Sequence, residues 1–213
     1  MDTGRAELPL PLRSIAVERT LAAGEPLFQA AAPATAVFFL VSGAVRLVRY
    51  GPDGEEIPIH QAHAGEYFAE ASLRGDRYHC TALALRPSVV LALPAGDVAR
   101  LLANDPAFAG RWIETLALQL RVSRARVERL CLKRASERVR HLLLTEGSGP
   151  QHRYQPRGSL KELAWLLGLT HEALYRTLAA MERAGELARD ERGLRLPRRP
   201  LAAGATPTRR GPA

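Results

Sequence analysis

Cysteine is nearly absent: Cys80 and Cys131 are the only two in 213 residues. Two are too few for a disulfide framework, and such usage fits a reducing cytoplasm. No apolar run approaches the roughly 18 residues needed to span a bilayer. The opening stretch, MDTGRAELPLPLRS, holds no apolar core of a signal peptide. A cytoplasmic chain without membrane association is the expectation. No repeat of about 20–50 residues recurs, which excludes a solenoid. Acidic residues are the scarcer sign, 22 against 30 Lys and Arg, leaving a net charge of +8. That balance suits a chain that neutralises phosphates. What is present is 46% hydrophobic, a globular composition, with length for one or two domains that each bury a core.

The most informative stretch is SLKELAWLLGLTHEALYRTLAAMER at 159–183. Ser159 followed three residues later by Glu162 is a capping box. Leu160, Leu163, Ala164 and Leu167 give a first helix one apolar face. Gly168 suits the left-handed end of that helix, and Thr170 is a natural N-cap for the next. Leu174, Leu178 and Met181 recur at i, i+4 and i+7, so His171, Glu172, Tyr175 and Arg176 gather on the opposite face near the helix start. A recognition helix reads base edges from its N-terminal half, which makes this a helix-turn-helix and DNA the expected partner. The competing reading is a plain helical hairpin, with Glu172 and Arg176 as an i, i+4 surface ion pair. After Gly185, the runs Leu187–Arg189 and Leu194–Leu196 flank Asp190-Glu191-Arg192-Gly193, a hairpin signal that would add a wing.

Upstream, residues 12–95 read as β structure. Apolar runs at Ile15–Val17, Val37–Val41, Ala44–Val48, Ile57–His60, Thr81–Leu85 and Val89–Leu93 alternate with turn signals such as Ala23-Gly24-Glu25-Pro26, Ser42-Gly43 and Pro52-Asp53-Gly54. Strands so spaced predict a sandwich or barrel. Asp97 can cap a short helix over Val98–Leu102. Asn104-Asp105-Pro106 breaks it and opens a helix running to about Leu132. Ile113, Leu116, Leu120, Ser123, Val127 and Leu130 step 3-4-3-4-3 along it, flanked by Arg121, Arg124, Arg126, Glu128 and Arg129. This is a coiled-coil seam that predicts a dimer, or else one amphipathic helix lying on its own β domain. Residues 135–146 predict a further helix, and the tail beyond Leu196, with Arg198, Arg199, Arg209 and Arg210, reads as disordered and basic.

This organisation resembles the CRP/FNR family of bacterial transcription regulators over residues 12–196. THEALYR at 170–176 is similar to the family's S/T-R-E-T-V-x-R motif. GEYFAEASL at 65–73 is similar to the cyclic-nucleotide cassette G-E/D-x-F-G-E-x-x-L. The resemblance implies an α+β fold with an N-terminal jelly-roll, cupin-like sensor domain (12–105), a long dimerisation helix (106–134) and a C-terminal winged helix-turn-helix (135–196), then the basic tail (197–213). It implies a homodimer on a palindromic double-stranded operator, with RNA polymerase as a further partner and a small effector changing the pose of the DNA-binding domains. Glu172 stands where the family's glutamate meets cytosine, and Arg176 where its arginine meets guanine, pairings that groove chemistry supports. His171 stands where many members have arginine, and Tyr175 replaces a small residue. Ser159, Thr170 and Arg195 are expected to contact phosphates.

The effector positions depart from the family pattern. Glu70 matches the glutamate that holds a ribose hydroxyl, and Ser123 a position that can touch the base. The arginine-serine pair that clamps the cyclic phosphate falls on Cys80-Thr81, and neither supplies a bidentate charge-assisted contact. Arg77 could substitute only on a re-routed loop, and Ala69 puts a Cβ where glycine lets backbone approach the phosphate. The expectation is an unidentified small effector or none, with a cyclic-AMP-responsive regulator as the alternative. An iron–sulfur cluster needs four clustered cysteines and is excluded. Haem on Tyr78-His79-Cys80 is disfavoured because adjacent strand residues face opposite ways. A cupin-like metal protein built on His60, His63 and Glu66 has the wrong ligand spacing. An enzyme is not expected.

Overall fold

The computed structural model describes residues 8–197. The tail arginines Arg198, Arg199, Arg209 and Arg210 lie outside the described residues. The chain forms two compact units that divide between Arg121 and Val122.

In the first unit a short helix α1 (Leu10–Arg13) precedes eight strands: β1 (Val17–Leu21), β2 (Pro26–Phe28), β3 (Ala36–Ser42), β4 (Ala44–Tyr50), β5 (Glu56–His63), β6 (Tyr67–Phe68), β7 (Thr81–Ala84) and β8 (Ser88–Pro94). They make two four-stranded antiparallel sheets, ordered β1-β8-β3-β6 and β2-β7-β4-β5. This is the jelly-roll sandwich expected of the family. Its longest central strands, AVFFLVS and AVRLVRY, are rich in β-branched and aromatic residues that fit a pleated, half-buried surface. Between them Gly43 takes φ +96°, and a Cβ there would lie 2.1 Å from Ser88 Oγ. Only glycine fits that turn.

Four rings fill the sandwich interior. Phe28 stacks on Tyr78 at 3.8 Å between centroids, and Phe38 bridges Phe28 (5.5 Å) and Phe68 (5.4 Å). The Tyr78 hydroxyl donates to the Ala36 carbonyl at 2.9 Å and accepts from the Ala36 amide at 3.2 Å, so the buried phenol is satisfied. Burying each such side chain stabilises the fold by about 1.5–3 kcal/mol. This stack anchors the sandwich, whereas four of the five residues of β1 are exposed. The other face of the first sheet packs Val37, Phe39, Leu91 and Leu93 against Leu8, Leu12, Val98, Phe108 and Trp112.

Two helices follow, α2 (Ala95–Asn104) and α3 (Pro106–Cys131). The predicted cap at Asp97 is corrected: α2 begins three residues earlier with Pro94 as N-cap, and Asp97 sits in its first turn paired with Arg100. Phe108 and Trp112 of α3 are buried, but the seam beyond them is open. Ile113 is 65% exposed, Leu120 50% and Val127 60%. Within the first unit, Ile113 and Leu120 therefore do not cover the β sandwich.

The second unit packs the end of α3 with α4 (Ala135–Glu146), α5 (Leu160–Leu166), α6 (His171–Arg183) and a hairpin of β9 (Ala188–Asp190) and β10 (Gly193–Arg195). Its core is Val139, Leu142, Leu143, Leu163, Leu167, Leu174, Leu178 and Met181, with Leu187 and Leu194 added by the hairpin. Arginines join the pieces. Arg138 donates through Nη1 to the Leu167 and Gly168 carbonyls, both at 3.1 Å, satisfying the end of α5. Arg126 lies 5.3 Å over the Trp165 ring. Arg129 was expected as an exposed flank of the seam, yet it is fully buried and pairs with Glu146 of α4. An arginine is read as surface from its type, but here its carboxylate partner lies 17 residues on.

Candidate nucleic-acid interface and sensor cassette

The helix pair forms as its caps dictate. Ser159 Oγ accepts from the Glu162 amide at 3.2 Å, and Thr170 Oγ1 from the Ala173 amide at 3.1 Å. Gly168 takes φ +62° between the helices. Burial of Leu174, Leu178 and Met181 fixes the rotation of α6 about its axis. His171, Glu172, Tyr175 and Arg176 are consequently all exposed on one side of its first two turns. The i, i+4 ion pair of the competing hairpin reading is not made: Glu172 and Arg176 have no salt bridge to each other or to any other described residue. Their polar ends are free. The His171 and Tyr175 rings meet edge to face at 4.6 Å, forming an aromatic plate beside them.

The wing is present, one residue out of the expected register: Asp190 pairs with Gly193, and Glu191-Arg192 form the two-residue turn. Gly193 takes φ +106°, and a Cβ on it would sit 2.3 Å from the Tyr154 carbonyl. Its place inside the strand therefore follows from Tyr154, which crosses to pair with Leu194. Arg195 is partly buried, with Nε 3.5 Å from Asp190 Oδ2. The crossing also brings in Arg153, which the sequence did not mark, with Nη1 2.5 Å from Asp190 Oδ1. The Arg153 hydrogen bond is the main cause holding the Asp190 carboxyl down at about 2.

In the sensor unit, Glu70 opens a single 3-10 turn, Glu70–Ser72, whose N-cap Ala69 has a left-handed φ of 63°. Glu70 Oε2 is buried with no hydrogen-bond partner, and burial pushes its carboxyl above the usual carboxylate range. Cys80 belongs to the aromatic core at 1% exposure, and burial lifts its thiol to about 11. Thr81 Oγ1 already accepts from the Ala30 amide at 3.1 Å. Arg77 is exposed and donates to the Ala31 carbonyl at 2.7 Å. One cation that sequence reasoning missed is Arg49 on β4, whose Nε donates to the His79 carbonyl at 2.8 Å and whose charge favours the Cys80 thiolate. Ser123 is exposed on α3 and falls in the second unit.

The residues weighed for metals and haem stand apart. Tyr78 and Cys80 face the core while His79 turns outward, its Nδ1 3.1 Å from Ser72 Oγ. His60 and His63 are three apart on β5 and project to opposite faces, and the Glu66 carboxylate accepts from the His63 amide. Among the described residues, no group of three His, Cys, Asp or Glu is arranged to hold a metal ion. No described helix is long and apolar enough to cross a membrane.

Comparison with known proteins agrees with this architecture. The cyclic nucleotide-binding domain family matches residues 18–105. The Cyclic AMP receptor protein of Thermus thermophilus is 31% identical over 167 residues, covering 76% of this chain and 75% of the relative. TTHB099, a CRP-family transcriptional regulator from the same organism, superimposes with a TM-score of 0.59 at 27% identity, over 84% of this chain and 91% of the other. FixK2 from Bradyrhizobium japonicum shares the fold with a TM-score of 0.68 at 24% identity, over 85% and 92%. With the jelly roll, long helix and C-terminal helix pair in place, the chain belongs to the CRP/FNR family of transcription regulators.

Proposed function

We propose that this regulator binds palindromic double-stranded DNA as a homodimer, reading bases with Glu172 and Arg176. The observation that carries the reading is the start of α6. A rigidly capped and anchored helix presents a carboxylate and a guanidinium, both exposed and both without a partner among the described residues. Arginine can meet guanine O6 and N7 with two hydrogen bonds, and glutamate accepts from cytosine N4. His171 can donate to guanine N7 or a phosphate, and Tyr175 extends that surface toward a thymine methyl or the backbone. Ser159, Thr170 and Arg195 contact phosphates. The boundaries are a sensor domain at 12–105, a dimerisation helix at 106–134 and a DNA-binding domain at 135–196. The exposed strip of α3 forms the dimer seam, RNA polymerase is a partner on DNA, and the protein acts in the cytoplasm without catalysing a reaction. Arg176→Ala should cost about 1–3 kcal/mol and relax preference at one guanine. A uniform loss of affinity with unchanged base preference, measured by binding to a set of single-base operator variants, would refute the assignment.

The effector reading centres on Glu70, Arg77, Cys80, Thr81 and Ser123. A neutral thiol and a single hydroxyl cannot replace a bidentate guanidinium on a cyclic phosphate, and the loss of one charge-assisted hydrogen bond costs about 1.5–3 kcal/mol. We therefore favour a different small effector, or none. The cyclic-AMP reading draws on the relative named for that ligand and on the unpartnered Glu70 Oε2. Calorimetric titration with cyclic AMP and cyclic GMP decides between them.

A further inference from the structure

The wing holds a carboxylate ringed by donors on an exposed, basic surface. Asp190 Oδ1 accepts from Arg153 Nη1 at 2.5 Å and from the Arg192 amide at 2.8 Å, and Oδ2 lies 3.5 Å from Arg195 Nε. Two guanidiniums and a backbone N–H converging on one anion are the donor set that binds a phosphate. Nearby cations are tied elsewhere, Arg189 to Glu182 at 3.3 Å and Arg140 to Glu186 at 2.8 Å. Among the described residues, Asp190 is the charged group that holds Arg153 and Arg195. An exposed ion pair contributes little to stability. A polyanion can therefore displace the carboxylate, but the carboxylate's charge opposes the approach of that polyanion.

We infer that Arg153, Arg195 and the Arg192 amide form a clamp for a DNA backbone phosphate, that Asp190 occupies the clamp as an internal stand-in for that phosphate in the free protein, and that it thereby restrains DNA affinity without affecting base choice. The inference rests on the DNA-binding reading above and adds to it a contact, Arg153, and a residue that weakens binding. Arg153 lies 37 residues before Asp190, outside the helix pair and outside the hairpin. It reaches the wing through the Tyr154–Leu194 bridge and the hydrogen bond from the Leu196 amide to the Gln151 carbonyl at 2.9 Å.

The test is fluorescence anisotropy of the full chain with a selected operator duplex and a random-sequence duplex of equal length, across a salt series. Asp190→Asn should tighten binding to both duplexes by about fivefold near physiological salt and steepen the salt slope by about one, as for one more neutralised phosphate. Asp190→Ser keeps a hydroxyl for the Arg192 amide, and it should give the same gain if charge is the cause. Adding Arg153→Gln to Asp190→Asn should return affinity and slope to the wild-type values. Unchanged or weaker binding by both Asp190 variants, or a gain that survives Arg153→Gln, would overturn the clamp while leaving specific DNA binding intact. A wild-type chain that does not distinguish the operator from the random duplex would overturn the DNA-binding reading itself.

Discussion

At the scale of single residues, the first unit holds a carboxyl whose charged form burial disfavours. Glu70 is mostly buried, and desolvation lifts its carboxyl in the folded protein. The folded state therefore holds its proton more tightly than the unfolded chain, where a glutamate ionises near pH ~4.3. Stability associated with this group is present at low pH and is lost as pH rises through the raised folded value. Above that value the ionised carboxylate opposes folding. Glu70→Gln keeps the shape without the charge, so it should raise the melting temperature at neutral pH. Its advantage over wild type should shrink as pH is lowered through that window. Melts of both proteins over about pH 4–8 check this, and an advantage independent of pH would contradict it. The sequence marked Glu70, Cys80 and Thr81 as positions but could not give their environments. That Thr81 is engaged by Ala30, 51 residues away, or that Cys80 is core, depends on how two sheets close. The exposed face of α6 was legible because capping and apolar spacing act within a few residues. The Arg153–Asp190 contact was not, because nothing local specifies it.

At the scale of elements, helices followed their local signals closely. The expected helix over 135–146 is α4 residue for residue, and the long helix ends at Cys131 against an expected Leu132. Strands were less regular. β2 and β6, of three and two residues, are too short to carry a period and exist by pairing with β7 and β3. β1 was expected over Ile15–Val17 and lies over Val17–Leu21, a polar-looking VERTL whose strand character comes from its ladder with β8. The apolar signal at Ile15 and Ala16 instead reflects packing beneath the helices. On α3 the open strip makes its own prediction. A carboxylate placed at Leu120 would face its symmetry mate in a dimer seam, and a buried unpaired charge is strongly destabilising. Leu120→Glu should sediment as a monomer and bind DNA much more weakly. An unaltered dimer in velocity sedimentation would place the interface elsewhere.

For the whole molecule, a net charge of +8 supplies sequence-independent attraction to a polyanion, whereas the proposed discrimination rests on Glu172 and Arg176 of α6. The proposed dimer would link the two, because one short helix reads too few base pairs to specify a site. Two copies related by a two-fold axis should meet successive major grooves about 34 Å apart. The most direct measurement is selection of binding sites from a random duplex library by the purified protein, followed by footprinting on the enriched sequence. The account predicts an inverted repeat whose half-sites are centred about one helical turn apart, protected together on one face of the duplex. A single unrepeated half-site, or no enrichment at all, would contradict it.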